Sequence, residues 1–465
     1  MKLTKRTTNI LIVTIYLITL FFSLTSSGVV FIDKLRSVLS VLLPAFLTLM
    51  ILYENRRNLK VLLKNKFSFI LYILVIIWFF MTFIFGIRTN IESLKGFINF
   101  SVLSTFILVL FNCNYDEETK NKIKKHIFIS FSLVAVLGIL QYIFRYNLNT
   151  YNNDKYPGIL GRIHSTFYIA TLLDKFIVIM FPIITYELLK DKENKYYKFL
   201  LILSMLAITF TFSRSGQLIY LAMSFIFFIV TLFKKQFKNS ILIVLLIVIM
   251  VLIPGAKYSV QSAMDYAYEA AHMPNVLRIN LIDILGSKND KIVHVKAGKC
   301  ADDDCVGDEE GSNFFRNYYK KVGIQFIKEY PIFGVGIGNN SYLYNNQNAK
   351  DYLKNKSVIS DDYKYMYPHS GYIQLAEETG IIGCTLFILY LLSFALNKIL
   401  SKKDRMDIYV LGLMIFAFAL GNITEGLFHT KQIIYIFAII YTLYCNISFN
   451  VKDKKKHKKV KNFTK

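Results

Sequence analysis

The chain has 465 residues, of which 54% are hydrophobic and only 18% charged. A soluble globular protein carries about a quarter charged residues, so that class is excluded. The formal charge of +24 suggests nucleic acid at first sight, but the basic residues sit between apolar runs, which excludes that partner and points to a polytopic membrane protein.

Runs of about seventeen or more mostly apolar residues predict an all-α protein of about twelve membrane helices. They cover Thr8 to Gly28, Val38 to Tyr53, Phe67 to Gly86, Gly96 to Phe111, Ile127 to Phe144 and Thr166 to Leu189. The next two, Phe199 to Phe212 and Gln217 to Phe233, are joined by the tight turn SRSG, and the ninth ends near Pro254. After a long polar stretch come Gly380 to Leu396, Ile408 to Gly421 and Gln432 to Phe449. The chain thus divides into helices one to nine (1–254), a large loop (255–368), helices ten to twelve (369–450) and a basic tail (451–465). The apolar stretch after Lys2, Lys5 and Arg6 is long enough to span and more spans follow it, so no cleavable signal peptide is expected.

Orientation follows from Lys and Arg, which are retained on the cytoplasmic side. With the N-terminus inside, about 31 basic residues fall in cytoplasmic segments and about 9 in the short outer loops. Both termini are therefore expected in the cytoplasm and the large loop outside. That loop contains 14 basic and 14 acidic residues, so the excess charge is cytoplasmic and serves insertion and attraction to anionic lipid. No internal repeat suggests the paired halves of a transporter.

Cys113, Cys384 and Cys445 lie in or beside spans and read as small apolar fillers. Cys300 and Cys305, in KCADDDCV, lie close together in an outer loop, where a local disulfide is preferred over a Cys/Asp metal site.

A few charges stand at the outer ends of spans, where an unpaired charge is costly and usually meets a partner, a cavity or a ligand. Arg214 is fixed at the SRSG turn, and its guanidinium suits a phosphate or pyrophosphate as well as it suits snorkelling to headgroups. Arg162 and His164 precede the sixth span, where an arginine is most simply an interfacial anchor. Asp174 and Lys175 read as a structural pair within the bundle, and Glu425 and His429 as part of an outer turn, solvated or touching the site.

Arg316 opens a segment in which Phe315, Tyr319, Val322 and Phe326 recur at helical spacing, which predicts an amphipathic helix ended by Tyr330-Pro331. The following IFGVGIGNN lets the backbone approach a neighbour closely, but without a preceding buried strand it is no dinucleotide motif. His369 stands at the lip of a membrane helix and has the chemistry of a general base, unless it is only an interfacial residue. Arginines for a phosphorylated group and a histidine for a hydroxyl suit glycosyl transfer from a lipid pyrophosphate.

SRSG between spans, an arginine fifteen residues before the proline of YPIFGVGIGN, and PHSGYIQLAEETGIIG entering a span together resemble the O-antigen ligase and polymerase family of bacterial polysaccharide assembly. The resemblance covers roughly Arg162 to Gly383. It departs from the family pattern at Ser370, where asparagine is frequent, and at Asn340, where an aromatic is usual. It implies a metal-independent, GT-C-like membrane glycosyltransferase of the cytoplasmic membrane that needs no cofactor. By the same resemblance Arg214 and Arg316, and less securely Arg162, hold the pyrophosphate of an undecaprenyl-pyrophosphate-linked oligosaccharide, and His369 activates the hydroxyl of an acceptor saccharide. Membrane lipid, a chain-length regulator and a flippase complete the expected partners.

The expected mechanism is one inverting displacement, with His369 taking the acceptor proton and the arginines stabilising the departing lipid pyrophosphate. Tyr318, Tyr319, Tyr342, Tyr344, Tyr363, Tyr365 and Tyr367 offer faces for sugar stacking or are interfacial aromatics. A polymerase is preferred over a ligase that transfers finished polymer to lipid A core or protein. A flippase or other transporter would need polar residues deep in several spans, and a scaffold would not require the arginines and the histidine.

Overall fold

The computed structural model describes residues 1–21, 30–144, 163, 165–167, 170–252, 309–340, 367–400 and 405–445. Among these residues the chain is helical, with no strand and a single isolated bridge between Lys2 and Asn114. In chain order the helices are α1 (Lys5–Tyr16), α2 (Val30–Glu54), α3 (Lys66–Phe85), α4 (Ile91–Phe111), α5 (Glu117–Phe144), α6 (Ala170–Lys190), α7 (Lys195–Phe210) and α8 (Arg214–Phe233). They continue with α9 (Phe237–Leu252), α10 (Glu309–Glu329), α11 (Gly371–Leu400), α12 (Arg405–Thr424) and α13 (Lys431–Cys445). Every apolar run predicted to span overlaps one of these helices.

Six described helices are long and apolar enough to cross a membrane: α3, α4, α8, α11 and most of α2 and α5. The protein is a multi-pass membrane protein. α9, α12 and α13 offer shorter apolar stretches, and α6 carries Asp174, Lys175 and Glu187. The reason is position. All of α6 from Leu173 to Leu189 is buried, as is α13 from Ile433 to Cys445. A helix enclosed on every side need not present a long lipid-compatible surface, so charged residues persist inside it.

The basic short loops gather at one end of the bundle, tied by Met1 N donating to Asn112 O at 3.0 Å and Lys2 N donating to Asn55 Oδ1 at 2.8 Å. There Lys124 and Glu187 pair at 2.8 Å. The other end holds the turn between α7 and α8, the start of α11 and the turn between α12 and α13. Cys113, Cys384 and Cys445 are buried and not in disulfides.

The glycine-rich loop after α10 is a strap across this second end. Val335 N and Gly336 N donate to Glu377 O at 2.8 Å and Glu378 O at 3.1 Å, while Ile87 N donates to Val335 O at 3.0 Å. Asn339 Nδ2 reaches Arg88 O at 2.8 Å, and Phe333 stacks on Trp78 with centroids 5.3 Å apart. Gly334, Gly336 and Gly338 all have positive φ, and a Cβ on Gly334 or Gly338 would strike the backbone of Glu377 or Glu92. The glycines thus serve backbone docking.

The tenth span was expected to begin at Gly380. The structure starts its helix at Gly371 and breaks it at Gly380 (φ 71°, ψ 172°). Ile381 N there donates to Pro331 O at 2.9 Å, so the strap supplies a partner that the broken helix lacks. Gly380→Ala would combine an unfavourable φ with a collision against Ile332 O. It should cost about 2 kcal/mol or more, read as a lower thermal midpoint of the detergent-solubilised protein.

Candidate active site

Arg316 lies in α10, whose apolar face buries Tyr319, Val322 and Phe326, the stripe its spacing predicts. This seats α10 on the start of α11, where Gly323 lies against Ile373 and Pro368, too close for a Cβ. His369 follows Pro368 in a three-residue turn, its N–H donating to Tyr367 O at 2.9 Å. It has the left-handed φ of 45°, uncommon for a residue other than glycine. The imidazole lies between two aromatic rings, with Tyr367 at 4.4 Å and Tyr319 at 6.3 Å between centroids.

Glu425 joins the two residues. Its Oε2 lies 3.5 Å from His369 Nδ1, its Oε1 lies 4.0 Å from Arg316 Nη2, and its side chain is 2% exposed. Glu425 is therefore neither a solvated turn residue nor a bystander. The main chain fixes it, since Glu425 O accepts from Gly371 N at 3.1 Å and Glu425 N donates to Gly421 O at 3.0 Å. Burial pushes its carboxyl up, but the hydrogen bond and charge of His369, with Arg316 and Lys175, outweigh this and hold it below the ordinary glutamate value. With Nδ1 facing this carboxylate, Nε2 is the nitrogen left to a hydroxyl.

Beside Glu425 lies a second buried pair. Lys175 Nζ is 2.8 Å from Asp174 Oδ1, with side chains 1% and 0% exposed, and donates to Ser215 Oγ at 2.9 Å. Ser215 belongs to the SRSG turn, which therefore rests on α6. Gly216 is required there, because any Cβ would overlap the Asp174 carboxyl. Arg214, exposed at the first position of α8, is carried by this anchored turn.

A third set holds the strap. Glu378 Oε2 accepts from Gly338 N at 3.1 Å and lies 3.0 Å from His429 Nε2, while Asn340 Nδ2 donates to Glu377 Oε2 at 3.2 Å. His429 thus braces the strap. Asn340, itself buried, supplies this hydrogen bond to Glu377.

Arg316 and His369 are brought together through Glu425, and Arg214 stands on a turn tied to the same cluster through Lys175. Arg162, His164, Cys300, Cys305, Tyr342, Tyr344, Tyr363 and Tyr365 lie outside the described residues. Among the described residues no group of three or more His, Cys, Asp or Glu is arranged to hold a metal ion.

Residues 199–388 match the family model described as O-Antigen ligase. This stretch is similar to that family. No curated protein matches the chain closely enough to name. The matched stretch contains Arg214, Arg316 and His369, whereas Asp174, Lys175 and Glu425 flank it.

The lowered Glu425 carboxyl contributes stability that is complete above the ordinary glutamate value and lost as pH falls through its lower folded value. Thermal midpoints measured in detergent should therefore fall more steeply on acidification for the wild type than for Glu425→Gln. Parallel curves would contradict a charged Glu425.

Proposed function

We propose that the protein is a membrane glycosyltransferase that moves a saccharide from an undecaprenyl-pyrophosphate carrier onto a saccharide acceptor. The observation that carries this reading is the single buried carboxylate of Glu425 reaching His369 with one oxygen and Arg316 with the other. The family match over residues 199–388 supports it. In this reading the chain crosses the cytoplasmic membrane about twelve times in a GT-C-like arrangement, with both termini in the cytoplasm and the site on the outer face.

The geometry supports a direct displacement. His369 Nε2 takes the proton of the acceptor hydroxyl while Glu425 orients the ring and stabilises the imidazolium that forms. The acceptor oxygen bonds to the anomeric carbon as the bond to the pyrophosphate oxygen breaks, and the electron pair leaves with the lipid pyrophosphate. Arg316, held at 4.0 Å and with its side chain 33% exposed, is loosely kept by Glu425, so a phosphate that accepts its fork bidentately displaces that contact. Arg214 adds a second guanidinium from the SRSG turn. One displacement inverts the anomeric centre, and no metal or cofactor takes part in the proposed steps.

The preferred acceptor is a second lipid-linked repeat unit, which makes the enzyme a polymerase. The description of the matched family, O-Antigen ligase, favours the second reading, transfer of finished polymer to lipid A core or protein. A chain-length regulator and a flippase are the partners such a polymerase would work with. Cys300 and Cys305 remain candidates for a disulfide within the large loop.

Lipid-linked saccharides extracted from cells bearing His369→Ala and sized by mass spectrometry distinguish these readings. Single repeat units on the lipid identify a polymerase, and long polymers stranded on the lipid identify a ligase. A profile identical to wild type removes His369 from catalysis. In a reconstituted assay His369→Ala should lower the transfer rate by about 10²–10⁴-fold, and Arg316→Ala by about 10²–10³-fold.

A further inference from the structure

Asp174 and Lys175 place a paired carboxyl and amine in a buried helix of the bundle, where side chains are almost wholly excluded from solvent. A buried ion pair stabilises a fold poorly compared with apolar residues of the same volume, so stability alone gives no reason for one here. Its surroundings give another. On one side, Lys175 Nζ holds Ser215 of the Arg214 turn at 2.9 Å, and the Asp174 carboxyl fills the space left by Gly216. On the other side, the Lys175 stem runs along Gly421, where an added Cβ would lie 3.4 Å from Lys175 Cδ. Gly421 O in turn accepts from Glu425 N at 3.0 Å.

The cluster also holds unspent polar capacity. Glu425 Oε1 is buried without a hydrogen bond, while Asp174 Oδ1 is met by Lys175 Nζ at 2.8 Å and His369 Nδ1 stands 3.5 Å from Glu425 Oε2. These groups therefore act on one another chiefly through charge, which in a buried setting is weakly screened. The charged groups around Glu425 are His369 from the turn before α11, Arg316 from α10, and Lys175 and Asp174 from α6.

We propose that the Asp174–Lys175 pair is a positioning unit for His369: it fixes the Glu425 carboxylate between the Arg214 turn and the histidine and sets how much negative charge the histidine feels. Lys175 does not touch the reacting atoms. It offsets part of the Glu425 charge, and Asp174 in turn offsets part of the Lys175 charge. The pair thereby links the element that carries Arg214 to the element that carries the base. This inference rests on the reading of His369 as the base, but its test does not require transfer to occur.

The test is the pH dependence of His369 acylation by diethyl pyrocarbonate, which attacks only neutral imidazole, measured by peptide mass spectrometry on the full chain in detergent. Lys175→Gln keeps a donor for Ser215 while removing the positive charge, and should raise the midpoint by about one pH unit. Asp174→Asn leaves the Lys175 charge less compensated and should lower the midpoint. Opposite shifts in these two variants support the proposal. Midpoints equal to wild type, or shifts in the same direction, overturn it, and if Lys175→Gln does not fold, the direction seen with Asp174→Asn decides. The assay contains no glycan, so a failure of the transferase reading would appear only in the lipid-linked saccharide profile and would leave these midpoints interpretable.

Discussion

The arrangement at this end of the bundle depends on one buried carboxylate. An isolated charge as enclosed as Glu425 would cost several kcal/mol, so it requires cations within reach. They come from Arg316 on α10, His369 before α11 and Lys175 on α6. A main-chain bond from Gly371 N clamps the start of α11 to the same residue. Segments far apart in sequence therefore meet around Glu425, and the geometry that keeps it charged also sets a histidine beside an arginine.

A second constraint keeps that assembly in place. α11 cannot run unbroken from His369 into the apolar core, because Gly380 departs from helical geometry and frees backbone groups. The strap after α10 satisfies them through Val335, Gly336 and Pro331, while Glu378 and His429 hold it from the side. Since α10 and the strap are continuous, the docking of the glycines fixes the C-terminal end of the helix that carries Arg316. The glycine pattern and the arginine fifteen residues before its proline are two parts of one device.

Much of this could be read from the sequence, for physical reasons. Long apolar runs report helices of the bundle, and the three- and four-residue spacing of Tyr319, Val322 and Phe326 reports a helix with one buried face. SRSG between two runs leaves no room for a loop. Glu425 and Lys175 were harder. A carboxylate in a turn looks solvated and a lysine beside an aspartate looks like a local pair, because nothing in their own segments records which distant helix packs on them. Gly216 carried a signal that could be used only after Asp174 was known to lie opposite it. The helix of α11 begins before the expected span because YIQLAEETG is too polar to read as membrane, although it is helical and packs Leu375 and Ala376 into the core.

The family match covers the residues assigned to the donor and the acceptor hydroxyl and stops before Glu425, after beginning beyond Lys175. The matched stretch therefore contains Arg316 and His369 but not the carboxylate between them. Arg214 stands on a turn whose support is α6, and His369 faces a carboxylate from the turn between α12 and α13. Removing the flanking helices would leave Arg214, Arg316 and His369 in the chain without the charges that place them. The carboxylate that faces His369 and the lysine that holds the Arg214 turn thus come from the last turn and α6, both outside the matched stretch.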